Sequence, residues 1–572
     1  MTKRTSCLIL AALMLVATSG RSVLLADGPV TPNRDWTNTS LVHTVSGVVQ
    51  GVADKQDTWV WRGVPYAAPP VGELRWRAPR PPVPWTGVLQ TRRFASPCSQ
   101  FSPIIPGLVV GSEDCLYLNV WRPKSTETNL PVYVWIHGGG NSIGSASFIS
   151  DYYGHALASR SNMIFVSLNF RLGPFGWFTH SALRGTSGDT DDGSGNYGTL
   201  DIIAALEWIK ANIRAFGGDP SRVVISGESA GGTNVASLLI SPRASGLFSH
   251  ALIQSGSPRL STVEQGDASS SRVLRHLLSS DRQSKDAPVE GQLSGMNDGQ
   301  IQDYLRGKTD REIMKAYTTG TTGMIGSPAI FNDGRVIPQE GYSVIENGTY
   351  ANQVPTILGT NREETKLFLS FSRSMDWRGD LYQAVGGYGS MFWKADAVDG
   401  FARKITDNEG HPPVYAYRFD WGSIGESGLS PLPGNWGKRL GATHTFEIPF
   451  FLGTDSLNGP LYTSRLFTRR NRPGRKALSG LMMDYASSFV RTGDPNALPG
   501  ATGIPRPVWS PWSNSDGSPK YVVFDADDHE PTVTMSSAEV THSSIYAQMA
   551  AELEPSLYEE TLRHLGRDAA AE

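Results

Sequence analysis

Residues Gly227 to Gly231 read Gly-Glu-Ser-Ala-Gly and follow directly on the apolar, β-branched run Val223-Val224-Ile225. A strand that ends in Gly-x-Ser-x-Gly and continues as a helix, here expected over Thr233 to Ile240, holds its serine on a strained elbow with the hydroxyl exposed above a sheet. Ser229 is therefore the candidate nucleophile. Glycine is required on both flanks, because a Cβ at Gly227 or Gly231 would collide with the neighbouring strand and helix. The pattern is short, and in a chain with 61 glycines an ordinary strand-to-helix turn is the competing reading. Support has to come from elsewhere in the chain.

The first support is upstream. Val132-Tyr133-Val134-Trp135-Ile136 is a fully apolar strand that runs into His137-Gly138-Gly139-Gly140. Consecutive glycines after a strand let backbone N–H groups approach a ligand closely, and such a loop forms one side of an oxyanion hole. Gly139 and Gly140 are the expected donors, joined by the N–H of Ala230. A flexible glycine hinge is the alternative.

A hydroxyl nucleophile needs a base, and the base needs a carboxylate to hold its tautomer. Of eleven histidines, His444 lies in a short polar loop, Gly441-Ala442-Thr443-His444-Thr445, that leads into the apolar segment Phe446 to Phe451. It comes late in the chain, as the order serine, acid, histidine requires. His137 reads as a shaping residue of the glycine loop, and the other histidines have no comparable context. Between Ser229 and His444, the strand Val354 to Leu358 ends in Gly359-Thr360-Asn361-Arg362-Glu363-Glu364. It can deliver a carboxylate at the C-terminal end of a strand, where ligands bind in open α/β sheets. Glu363 and Glu364 are adjacent and cannot both address one imidazole, and local pattern does not separate them.

With these segments in place the chain resembles the type-B carboxylesterase family, the group related to cholinesterases. The resemblance runs from about Val42 to about Asp525. It is carried by Trp61-Arg62-Gly63-Val64-Pro65-Tyr66-Ala67-Ala68-Pro69-Pro70-Val71-Gly72, Glu113-Asp114-Cys115-Leu116-Tyr117-Leu118-Asn119-Val120, Asn169-Phe170-Arg171-Leu172-Gly173-Pro174, Phe216-Gly217-Gly218-Asp219-Pro220 and Thr492-Gly493-Asp494-Pro495-Asn496. It implies an α/β-hydrolase fold, with a large, mixed, mostly parallel central sheet flanked by helices and carrying cap and gorge insertions. It also implies that the acid is Glu364, that the base is His444, that Glu228 is an electrostatic neighbour of the site and that Ser255 supports it from behind. The implied reaction is two-step acyl transfer on a small-molecule carboxylic ester. No cofactor and no metal is expected, since the chain has no Cys/His cluster or His-Glu-x-x-His spacing. The acidic stretch Gly188 to Gly193 lacks the terminal glutamate of a calcium loop and reads as a solvated surface loop.

The chain of 572 residues is long enough for several domains, yet the triad candidates span most of its middle, so one large unit must bring them together. A net charge of −3 with no basic block argues against nucleic acid as a partner. Fifteen tryptophans suit an apolar pocket. No feature sets the oligomeric state. A basic start, Met1 to Thr5, precedes the short apolar run Cys7 to Ala17, the pattern of an export signal over 1–26, and no later run is long enough to span a membrane. The protein is therefore expected to be secreted or periplasmic. Once the signal is removed, Cys98 and Cys115 remain as the expected disulfide in an oxidising compartment, where the resemblance also places one. No tryptophan lies between them, whereas the longer equivalent loop of cholinesterases carries one that binds choline, which argues against choline esters.

The main unit is expected over 27–545, with a cap insertion at about 263–326 that holds two helices, Arg272 to Leu278 and Gln300 to Tyr304. The segment Asp376 to Val398 offers Trp377, Tyr382, Tyr388, Phe392 and Trp393 either to a pocket or to plain packing. A helix around Ile545 to Leu565 and a tail, 546–572, close the chain. Two other functions compete. One is an interfacial, lipase-like esterase, and the other is a non-catalytic binding protein that keeps the fold but lacks the triad.

Overall fold

The computed structural model describes residues 36–147, 149–184, 190–281, 289–320, 322–372 and 374–567. Runs of β-branched and aromatic residues bounded by turn residues become the strands of one central sheet. Among the described residues it has eleven strands: β1 Val52–Asp54, β2 Thr58–Pro65, β3 Tyr117–Pro123, β4 Leu130–Ile136, β5 Ile164–Leu168, β6 Gly218–Glu228, β7 His250–Gln254, β8 Thr356–Asn361, β9 Val414–Phe419, β10 Tyr521–Ala526 and β11 Pro531–Ser536. Their spatial order is β11-β10-β9-β8-β7-β6-β4-β5-β3-β2-β1. From β5 to β10 every pairing is parallel, and the pairs at both edges are antiparallel. This is the mixed, mostly parallel sheet that the resemblance implies.

Strands β4 and β5 are buried along their whole length, as strands covered on both faces must be. Alternation divides β4 between two cores. Val132, Val134 and Ile136 join Leu200, Ile203 and Leu206 of helix Tyr197–Asn212 and Val235 and Leu239 of helix Ala230–Ile240. Tyr133 and Trp135 join Phe450 and Phe451 of helix Ile448–Leu452 and Met482 and Tyr485 of helix Arg472–Thr492.

Three local readings change. The cap is more helical than its Ser, Asp and Gly content indicates, with helices Val263–Ser280, Val289–Ser294, Asp298–Gly307 and Asp310–Lys315. Three of these begin in capping boxes, Thr262 with Gln265, Asn297 with Gln300 and Thr309 with Glu312. The polar residues that read as loop are helix start signals. The C-terminal segment is two helices, His542–Glu552 and Pro555–Leu565, because Pro555 has no N–H to continue the first and suits the opening turn of the second. They cover helix Asp380–Lys394, with Ile545, Met549 and Leu562 against Tyr388 and Phe392, so those two aromatics are core. Finally, Asp192 of the acidic stretch is buried at 2 % exposure and paired with Arg77 and Arg80. It is a structural brace, although the surrounding sequence reads as a solvated loop. Gly188 and Asp189, like the expected signal segment 1–26, lie outside the described residues.

Among the described residues no helix is long and apolar enough to cross a membrane. Cys98 and Cys115 form a disulfide across a sequence separation of 17. A loop of that size is worth about 3 kcal/mol by the chain-entropy estimate. The double variant Cys98→Ser/Cys115→Ser should therefore lose about that much stability, read from its urea midpoint. A reductant should reproduce the loss in the wild type and change nothing in the variant.

Candidate active site

Parallel register brings four strand ends together. β4 ends at Ile136, β6 at Glu228, β7 at Gln254 and β8 at Asn361, and the residues that follow each end face one another above the sheet. Ser229 stands between β6 and helix Ala230–Ile240 with φ 58° and ψ −125°, a strained conformation for a residue with a side chain. The helix starts three residues earlier than the pattern indicates, because Ser229 itself is the turn. A Cβ on Gly231 would lie 2.1 Å from the Ile136 carbonyl oxygen, and one on Gly227 would lie 2.5 Å from the Gly231 backbone. Both flanks are closed to any larger residue.

Beyond β4, Gly139 (φ 110°) and Gly140 (φ 61°) curl the chain, and the Gly139 carbonyl accepts the N–H of Ile143 at 3.0 Å. Among the described residues the N–H groups of Gly139, Gly140 and Ala230 donate to no protein acceptor. A Cβ on Gly138 would lie 3.0 Å from both Glu228 Oε2 and Ser229 Cβ, so that carboxylate and the serine side chain flank the same spot. His137 is buried and stacks on Phe170 with ring centroids 4.6 Å apart. Burial pushes its pKa down to about 4, which leaves a neutral ring that donates from Nδ1 to the Gly138 carbonyl at 2.8 Å.

His444 is 2 % exposed. Its Nδ1–H donates to Glu364 Oε2 at 2.6 Å, and the other oxygen of Glu364 accepts from the Asn361 N–H at 2.7 Å and the Thr360 hydroxyl at 2.9 Å. Glu363 turns away. It accepts the Ala442 N–H at 2.8 Å, takes a short hydrogen bond from the Ser423 hydroxyl and pairs with Lys366. The pair that local pattern could not separate thus divides, with one acid on the imidazole and the other bracing the loop that carries it. His444 Nε2 lies 3.1 Å from Glu228 Oε1, but the angle makes no hydrogen bond and Nε2 has no hydrogen-bond partner. Ser255 donates to Glu447 Oε1 at 3.3 Å.

Glu447 is the residue that sequence reasoning missed. It is fully buried and accepts from Asn361 Nδ2 at 2.5 Å. The same amide group also reaches the Thr443 carbonyl at 2.7 Å. The available signal was a lone acid inside the apolar run Phe446 to Phe451, since a charged residue in such a run is buried only with partners. Aromatic walls were also only partly foreseen. Trp393 and Phe368 lie 5.1 and 5.2 Å from the imidazole centroid. Of the other segment aromatics, Tyr382 is buried and donates to the Arg439 carbonyl, and Trp377 lies under the Arg378 guanidinium. The end of the cap reaches the glycine loop, where a Cβ on Gly140 would lie 3.2 Å from Met324 Sδ.

One imidazole among three buried carboxylates has definite electrostatics. Burial alone lowers the His444 pKa, but the charges of Glu228 and Glu364 outweigh it and raise the pKa to about 9. Burial drives Glu228 well above the usual carboxylate range against the pull of His444. It also lifts Glu447 to about 7, helped by Glu364. Each proton that Glu228 takes up removes part of the pull on His444. Because the folded pKa of His444 is raised, its contribution to stability is full below the ordinary value near 6.5 and is lost as pH rises through about 9. The imidazole should titrate near 9 by NMR of labelled histidine, and Glu228→Gln should move that midpoint downward. A midpoint that does not move would mean that Glu228 carries no charge over that range.

The model of the Carboxylesterase family matches residues 38–385 and 383–542. The chain is 33% identical over 480 residues to the para-nitrobenzyl esterase of Bacillus subtilis, covering 80% of this chain and 90% of that protein. It is 33% identical over 438 residues to the fumonisin B1 esterase of Sphingopyxis macrogoltabida, covering 71% and 74%. A solved PNB esterase structure superposes with a TM-score of 0.67 at 30% identity, covering 87% of this chain and 97% of that one.

Proposed function

Because the chain belongs to the carboxylesterase family, has the α/β-hydrolase fold and is a carboxylic ester hydrolase, we propose that it works through an acyl-enzyme formed on Ser229 by a Ser229-His444-Glu364 triad. The observation that carries this reading is the 2.6 Å hydrogen bond that His444 Nδ1–H donates to Glu364 Oε2, which leaves Nε2 as the only ring nitrogen free to act. Nε2 has no hydrogen-bond partner and faces Glu228, the residue directly before Ser229.

In the first step the neutral form of His444, which the charges of Glu228 and Glu364 make the minor form below about pH 9, takes the Ser229 proton on Nε2 as Oγ attacks the ester carbonyl. The oxyanion is held by the N–H groups of Gly139, Gly140 and Ala230, which no protein acceptor claims among the described residues. His444 then gives its proton to the leaving alcohol as the C–O bond breaks. Water enters through the same base and releases the acid, restoring Ser229. Glu364 stays ionised throughout and stabilises the imidazolium. Ser255 and Glu447 hold the loop end and the buried charge behind it.

Turnover of p-nitrophenyl esters by Ser229→Ala should fall by about 10⁴-fold or more. Glu364→Gln should cost about 10⁴-fold because it presents the wrong tautomer partner, whereas Glu363→Gln should cost far less. A larger loss in the Glu363 variant would reassign the acid. Activity in Ser229→Ala equal to the wild type would remove the serine from the mechanism.

We also read the protein as exported. The disulfide fits an oxidising compartment, and the apolar run within 1–26 fits a cleaved signal. N-terminal sequencing of protein recovered outside the cytoplasm should begin near residue 20 or residue 27. A start at Met1 would oppose this.

One observation favours interfacial action as a second reading. The loop inside the disulfide holds Ile104, Ile105 and Leu108 at 72%, 55% and 44% exposure, and it bears on the glycine loop through Gln100 and Gly144. A rate that jumps when a long-chain ester passes its solubility limit would support it. Ordinary saturation across that limit would leave the simple esterase.

A further inference from the structure

We propose that Asn458, seated on Asp151, is a positioning residue for the His444 imidazole and acts through a strained Thr445. This rests on the reading of His444 as the base.

Thr445 follows His444 directly and is held at φ 77°. That region belongs chiefly to glycine, and a β-branched residue there is an outlier. Such strain persists only where the surroundings impose it. Here Thr445 Oγ1 accepts a 2.6 Å hydrogen bond from Asn458 Nδ2. Asn458 itself sits at φ 46°, a conformation that asparagine tolerates, and its N–H donates to Asp151 Oδ2 at 2.6 Å.

Asp151 is a buried carboxylate that the triad mechanism does not use. It is 1 % exposed and lies on the short turn Ser150–Tyr152. The neighbouring Tyr152 ring packs 5.5 Å from Trp135 of β4, the strand that leads into the glycine loop. The chain Asp151, Asn458, Thr445 therefore ties a turn that packs on β4 to the peptide beside the base.

The two sides of His444 are secured differently. On its N-terminal side Glu363 holds the Ala442 N–H and Asn361 holds the Thr443 carbonyl. On its C-terminal side the side-chain clamp is the bond from Asn458 to Thr445. If that bond is lost, Thr445 is free to relax toward negative φ, which turns the peptide after His444 and swings the ring away from Glu364 and Ser229. Substrate binding is untouched by that motion, so the loss falls on kcat.

A double-mutant cycle tests this on p-nitrophenyl acetate. Asn458→Ala should lower kcat by about 30-fold with KM within about 2-fold, the size expected for a small misplacement of a reacting group. In a Thr445→Gly background, where φ 77° needs no enforcement, the same Asn458→Ala change should cost less than about 3-fold. Asp151→Ala should behave like Asn458→Ala, while Asp151→Asn, which still offers an oxygen to the Asn458 N–H, should recover most of the rate. Thr445→Val breaks the same bond from the other end and replaces Asn458→Ala if that variant does not fold.

Equal kcat losses from Asn458→Ala in both backgrounds, or a loss confined to KM, would overturn the proposal. His444→Ala separates it from the reading beneath it. An inactive His444→Ala with an additive cycle removes only the positioning role, and a fully active His444→Ala removes both.

Discussion

A single ladder of paired residues crosses the middle of this protein. Ile136, Gly227, Ile253, Leu358 and Ala416 stand side by side on five parallel strands. Because all five run the same way, their C-terminal ends come out on one edge, and the glycine loop, Ser229, Ser255 and Glu364 each follow within a few residues. Side chains in a strand alternate, so a slip of one residue would send each strand's side chains to the opposite core. The burial of β4 and its neighbours on both faces makes such a slip expensive. The geometry of the site is thus a consequence of sheet register, and the residues of the site do little to create it.

Above that edge the dominant force is electrostatic. Three carboxylates and one imidazole share a space from which water is largely excluded, and none of the four is more than 2 % exposed. An isolated buried carboxylate would simply take up a proton. Glu364 has two donors on one oxygen and the imidazole on the other, so its charge is the best compensated of the three. Glu447 has Asn361 and Ser255. Among the described residues Glu228 has only the edge of the imidazole, and burial pushes it toward the neutral form.

Much of this was legible in the residue order. The elbow at Ser229 and the glycine loop are local devices, since their chemistry depends on backbone geometry that glycine placement announces. His444 was readable from its loop and its position late in the chain. Local pattern did not separate Glu363 from Glu364, because adjacent residues share it and differ only in the direction that tertiary packing gives them; only the family resemblance pointed to Glu364. The cap was misread for another reason. Thr262, Asn297 and Thr309 are helix N-caps, and the same polar residues also serve turns. Asn458 carried no signal at the level of motif, as its partner Asp151 lies 307 positions away, and Glu447 showed only as a lone acid in an apolar run.

The sequence alone determined the parts whose physics is short-range. These are the strands, from β-branched runs, and the strained serine turn and the glycine loop, from glycines whose positions a larger residue would not fit. Only the tertiary structure decided how Glu363 and Glu364 divide between imidazole and loop, that Glu447 joins the buried carboxylates and which asparagine holds the backbone beside the base. Those are contacts between segments far apart in the chain, and they are fixed by how the sheet and its covering elements pack together.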